Sequence, residues 1–139
     1  MTRLAAICAG CILAAAALFY LRDPAWLGSV ESGFTRWERD GEGTAYRWTS
    51  GHASFFVASD RTSLTIPVRA AGSAGSPVVV SVAIDDRPAD QLTLTDERWH
   101  ERTIRLTGET TRRHRRIDLR VNRTLPGNRG VQIGEIRAR

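Results

Sequence analysis

The chain contains no lysine: all 20 of its basic residues are arginine. So complete a bias reads as nucleotide composition before it reads as function, and the formal charge of +5 is weak ground for any partner. Cysteine is nearly absent. Cys8 and Cys11 both lie in the apolar N-terminus, and the rest of the chain has none, which excludes a disulfide framework and a cysteine-based zinc site there. Past the N-terminus no window keeps helical periodicity over ten or more residues, and connections are too short for βαβ crossovers. There is no internal repeat. Gly41-x-Gly43 and Gly72-x-x-Gly75 are turn glycines with no helix after them, so they are not phosphate cradles. No Gly-x-Ser-x-Gly elbow occurs, and His52, His100 and His114 are scattered without a base-and-orienter pattern. The acid pairs a glycosidase would need reduce to Asp85, Asp86, Asp96 and Glu97, which fall in turns where solubility explains them. No catalytic residue is assigned, and the expectation is a protein that is not an enzyme.

One long apolar run stands out against this. Leu4 to Leu21 holds only apolar or small residues, between Arg3 and Arg22-Asp23. As a helix at about 1.5 Å per residue it spans roughly 27 Å, enough for a bilayer core. Residues 1–22 are read as an N-terminal transmembrane anchor or signal segment and residues 23–29 as a linker, in which Pro24 and Gly28 discourage a continuing helix. Residues 30–139 form the domain. The anchor reading makes this a single-pass membrane protein with its C-terminal domain extracytoplasmic, periplasmic or at the cell surface. The alternative is secretion after cleavage near the small residues Ala14 to Ala17.

The remaining sequence alternates with a period of two. Leu64, Ile66 and Val68 alternate with Ser63, Thr65 and Arg69, and Val78, Val80, Val82 and Ile84 share a face. Tyr46 and Trp48 share a face of a strand over Thr44 to Thr49, as a core-facing pair would. Ser50-Gly51 separates it from a second strand over Ala53 to Ala58. Further strands are expected over Phe34 to Glu38, Gln91 to Leu94, Trp99 to Leu106, around Ile117 to Val121, and over Val131 to Ile136, with turns at Asp40 to Gly43, Asp85 to Pro88 and Pro126 to Gly130. Eight or nine short strands at such spacing predict an all-β fold, a two-sheet β-sandwich of jelly-roll type.

The strings Gly33-Phe34, Trp37-Glu38-Arg39-Asp40-Gly41 and Tyr46-Arg47-Trp48-Thr49, followed by Val78 to Val82, Asp86-Arg87-Pro88, Trp99, Ile117-Asp118-Leu119 and Gly130 to Gly134, carry a resemblance. From about Val30 to Arg137 the chain resembles small uncharacterised β-sandwich modules of bacterial membrane proteins, found in envelope and polysaccharide settings. These are similar to galactose-binding-like and carbohydrate-binding jelly rolls. The resemblance implies a fold; it carries over no binding residue.

Candidate sites come from the residues themselves. Flat aromatic rings stack on pyranose faces, and arginine donates paired hydrogen bonds to hydroxyls or carboxylates. Trp37, Tyr46, Trp99 and Arg47 are the candidate glycan-binding residues. From Arg98 to Arg123 nine arginines face only Glu101, Glu109 and Asp118. Within that stretch Arg112, Arg113, Arg115 and Arg116 form a basic strip suited to an acidic polysaccharide, or simply to a solvated hairpin. Without stacking aromatics nearby it is not read as a nucleic-acid site. No cofactor is expected. A structural calcium, with oxygen ligands from Asp40, Glu42 or the C-terminal residues, is allowed, but its ligands remain unknown. The function expected is non-enzymatic binding of a glycan or an envelope partner, such as another membrane protein. The alternative is a structural, protein-interaction module of an envelope or polysaccharide-export assembly with no sugar ligand.

Overall fold

The structure, a computed structural model, describes residues 2–21, 24–73 and 75–139, and the side chains of all of these but 2–4 and 19–21. A helix, α1 (Thr2–Leu21), comes first. Its described side chains are all exposed, Ile7, Ile12, Leu13 and Leu18 among them. Among the described residues no helix is long and apolar enough to cross a membrane. The ends of the apolar run, the side chains of Leu4 and of Phe19 to Leu21 and the flanking Arg22 and Asp23, lie outside the described ones. The segment read as a linker is ordered: Ala25 to Ser29 forms a short 3-10 turn that packs on the domain, with Gly28 against the His114 ring.

Among the described residues ten strands follow, all paired antiparallel: β1 (Glu31–Phe34), β2 (Glu38–Arg39), β3 (Ala45–Ala58), β4 (Ser63–Arg69), β5 (Val78–Ile84), β6 (Arg87–Leu94), β7 (His100–Arg105), β8 (His114–Val121), β9 (Gln132–Ile133) and β10 (Arg137–Ala138). The two strands expected on either side of Ser50-Gly51 are one strand. The first part of β3 pairs with β2 and β9, and the part after Gly51 pairs with β8. Ser50-Gly51 is therefore where one strand passes from sheet to sheet, not a reversal. The first sheet runs β1-β3-β8-β5-β6. The second runs β2-β3-β9-β4-β7, with β10 beside β4. The all-β sandwich expected from the alternation is present.

The inner faces meet in one core. Leu64, Ile66 and Val68 of β4, Ile104 of β7 and Ile133 of β9 pack against Val80 and Val82 of β5 and Ile117 and Leu119 of β8. Each such side chain contributes about 1.5–3 kcal/mol by burial. The turn between β5 and β6 is shorter than expected. Only Asp85 and Asp86 form it, both in the left-handed region at φ 50° and 66°, as a two-residue hairpin of matching twist requires. Pro88 then sits in β6, where it is tolerated because β6 is the edge of its sheet and the ladder is irregular at Val82/Ala83.

Candidate binding site

Period two fixes which residues share a face. In the first part of β3, Arg47 pairs with Ile133 and so points with it into the sandwich. Only 9% of the Arg47 side chain is accessible. Its guanidinium carbon lies 3.9 Å from the Phe34 ring centroid and 4.9 Å from that of Trp37. Nη1 donates to Glu31, whose carboxylate is half-exposed, and among the described residues Nε has no partner. Arg47 thus stoppers one end of the core, and its cation lies under Trp37. Trp37 itself is 51% exposed, in the short connection between β1 and β2.

Tyr46 and Trp48 lie on the opposite face. Trp48 pairs with Gln132, which pairs with Arg69, the residue alternating with the core-facing Val68. Trp48 is buried, as a core residue would be, but it lies outside the main core cluster. Tyr46 meets it edge-on at 6.4 Å, and the Arg129 guanidinium covers it at 5.4 Å. The Tyr46 hydroxyl donates to Glu38 at 3.0 Å. That bond, with burial and the nearby carboxylate charge, raises the phenol above its ordinary value. Arg69 organises this face. Its guanidinium lies 4.7 Å from the Trp99 ring and 5.8 Å from that of Tyr46, and Nε donates to Gln132 at 2.6 Å. Trp99 is half-buried, and among the described residues its Nε1 has no partner.

The four sequence-chosen glycan residues therefore form two pairs on opposite sides of one sheet: Trp37 with Arg47, and Tyr46 with Trp99 through Arg69. Arg69 was not chosen from the sequence. It closes a strand whose alternation marks it as outward, and nothing local says that an outward arginine lands on two rings.

The basic strip divides. Arg112 and Arg113 are exposed. Arg115 pairs with Val57 and turns inward. It is buried, donating to the carbonyls of Thr107 and Gly108, with Asp85 at 3.9 Å. Arg116 lies on the outer face and bonds Asp86 and Asp118. The contiguous cationic stripe suggested by the sequence is thus broken into a solvated pair, a core stopper and an ion-paired residue, because alternate residues of a strand face opposite ways. Asp118 is buried as well. Burial alone would raise its pKa, but hydrogen bonds from His52 at 2.9 Å and Arg116 at 2.8 Å outweigh that and hold the carboxyl below its usual value.

Of the residues considered for calcium, Asp40 accepts the backbone N–H groups of Glu42 and Thr44 and lies 3.6 Å from Arg69. Among the described residues no three His, Cys, Asp or Glu side chains converge as metal ligands would.

No family model matches the chain. No curated protein matches it in sequence either. Solved structures do match. A family 35 carbohydrate-binding module from Clostridium thermocellum superposes with a TM-score of 0.51 at 11% identity, over 77% of this chain and 88% of that one. A CBM36-1 domain of a multidomain xylanase from the hindgut metagenome of Trinervitermes trinervoides gives 0.49 at 12% identity, over 79% and 89%. A carbohydrate-binding module of type CBM36, solved with calcium and xylotriose, gives 0.48 at 15% identity, over 79% and 92%. At such identity the likeness is one of fold alone: the β-sandwich is similar to that of the family 35 module.

Proposed function

We propose that the chain is a non-enzymatic, glycan-binding module held to a membrane by its N-terminal helix, with the β-sandwich on the extracytoplasmic side. The observation that carries the sugar-binding reading is Trp37. An indole half-open to solvent, laid over a buried guanidinium that fixes it from beneath, is a preorganised stacking surface, and a core has no use for it. Tyr46 and Trp99, tied by Arg69 on the other side of the sheet, extend the aromatic surface around that end of the sandwich. The membrane reading is supported by α1. A helix apolar all round, with its described side chains uncovered, needs apolar surroundings.

The test uses the full chain, kept in solution by a detergent without a sugar headgroup. Neutral oligosaccharides are titrated calorimetrically into wild type and Trp37→Ala. The reading expects binding that weakens at least about tenfold on removing the ring. No saccharide bound at all would favour the protein-interaction role instead, and equal binding by Trp37→Ala would contradict Trp37 as the sugar-stacking residue. Carbonate extraction and protease accessibility in intact cells test the anchor and its orientation. A freely extractable or protease-shielded domain would contradict that part.

A further inference from the structure

The far end of β3 carries a different feature. From Arg47 to Val57 the strand advances by roughly 30 Å. Beyond Val57 a recess of about 650 Å³ opens between the β5–β6 turn, the end of β7, the loop from Thr107 to Arg112 and the start of β8. That volume lies within the range of small-molecule sites.

Its lining is arginine-rich. Five arginines face Asp85, Asp86 and Glu109. Two of the five are engaged, Arg115 with Asp85 and the carbonyls of Thr107 and Gly108, and Arg116 with Asp86 and Asp118. Among the described residues no partner reaches the guanidiniums of Arg87, Arg105 and Arg112 or the carboxylate of Glu109, while the Arg112 backbone N–H donates to the Thr110 hydroxyl at 3.2 Å. Three free guanidiniums against one free carboxylate leave a positive surplus. Arg115, with 7% of its side chain accessible, lines the recess, and among the described residues its Nε has no hydrogen-bond partner. A buried donor left in that state is costly unless something accepts from it. Phe56, Pro88 and Ala89 give the recess an apolar side against which a ring can lie.

We propose that this recess is a second binding site, which takes the oxyanion, carboxylate or sulfate ester, of an acidic saccharide. The inference rests on the glycan-binding reading and adds to it a separate subsite and the charge of the ligand. Arg105 and Arg112 receive the oxyanion as paired hydrogen-bond donors, with Arg87 at the rim, while the Arg115 and Arg116 pairs hold the walls. The charges line a hollow, which suits one sugar unit better than a flat bilayer.

The experiment compares carboxylated and sulfated oligosaccharides with neutral ones of equal length, and with inorganic sulfate and anionic vesicles, on the full chain at low and high salt. The variant is Arg105→Ala with Arg112→Ala. Both residues are exposed, and among the described residues their guanidiniums have no partner, so folding is retained, as an unchanged urea midpoint will show. The acidic saccharides should bind wild type with salt-sensitive affinity and lose about tenfold or more in the double variant. Neutral saccharides should be unaffected by it, and Trp37→Ala should show the reverse. A preference for carboxylate over sulfate, or the converse, identifies the oxyanion. Acidic saccharides bound equally by wild type and double variant would overturn the recess and leave the Trp37 reading standing. Binding of inorganic sulfate or vesicles without any acidic saccharide would overturn it too. Binding of acidic saccharides with no neutral glycan bound would sink the Trp37 reading and keep the recess. No saccharide bound at all would end both.

Discussion

Arg47 is where stability and binding can be separated. Replacing it by methionine keeps most of the apolar stem and removes the charge. Two ring contacts are lost, at 3.9 and 4.9 Å, worth about 1 kcal/mol each or somewhat more when desolvated. The pair with the half-exposed Glu31 adds at most about 1 kcal/mol. Against this, a guanidinium with an unpartnered Nε no longer has to be held out of water, which recovers about 1–3 kcal/mol. The terms nearly cancel, so Arg47→Met should unfold within about 1 kcal/mol of wild type. Arg47→Ala also loses two buried methylenes, at about 0.8 kcal/mol each, and leaves a void beside Phe34, so it should be roughly 2–3 kcal/mol less stable than the methionine variant. Urea unfolding followed by tryptophan fluorescence should place the two midpoints about 1–3 M apart. Both variants should bind neutral saccharides more weakly, since Trp37 loses its support in each. A methionine variant as unstable as the alanine one would refute the reasoning, because the charge and not the stem would then hold that end of the core.

Three further outcomes follow from the same structure. Leu119 is 1% accessible and lies between Ala53 of β3 and Val82 of β5. Leu119→Ala should cost about 3–5 kcal/mol, and a loss under about 1 kcal/mol in urea would contradict the register. Gly33 has φ +74°, and an added Cβ would sit 2.7 Å from the Ala53 Cα and against the His52 carbonyl. Gly33→Ala should therefore cost more than about 2 kcal/mol, loosen β1 and, through Phe34, weaken saccharide binding. For Asp118 the folded pKa lies below the ordinary value of 3.8. Its contribution is thus complete above that value and is lost as the pH falls through the lower, folded one. Asp118→Asn should flatten the acid limb of the stability curve, and an unchanged limb in urea midpoints from neutral pH to about pH 3 would count against the His52–Asp118–Arg116 network.

The fold was legible where the alternation was clean. β4 and β5 declare their inner faces in Leu64, Ile66, Val68, Val80 and Val82, and these are core residues. β3 was harder. Gly51 and Ser50 look like a turn because local sequence carries no information about partners. That β9, more than 80 positions downstream, takes the first part of the strand is a long-range fact. The same limit explains Trp48. Period two says that Tyr46 and Trp48 share a face and leaves open which one, so a buried tryptophan was expected but its place outside the main core was not. The charged residues were the least legible. Arg47 and Arg115 stand in strands between ordinary neighbours, and only pairing with Ile133 and Val57 turns them inward as stoppers at the two ends of the sandwich. The sequence puts Trp37 inside a strand over Phe34 to Glu38, but β1 ends at Phe34 and β2 begins at Glu38, so it lies in the connection between them; neither that break nor the guanidinium beneath the ring is written in the local alternation.

The most direct test of the central claim is a titration of the full chain with neutral oligosaccharides, in which heat and intrinsic fluorescence are read together in wild type and Trp37→Ala. Saturable heat with a fluorescence change in wild type, both lost or strongly weakened in Trp37→Ala, is the predicted result. Saturable heat that persists with an unchanged affinity in Trp37→Ala, or no heat in either protein, would contradict it.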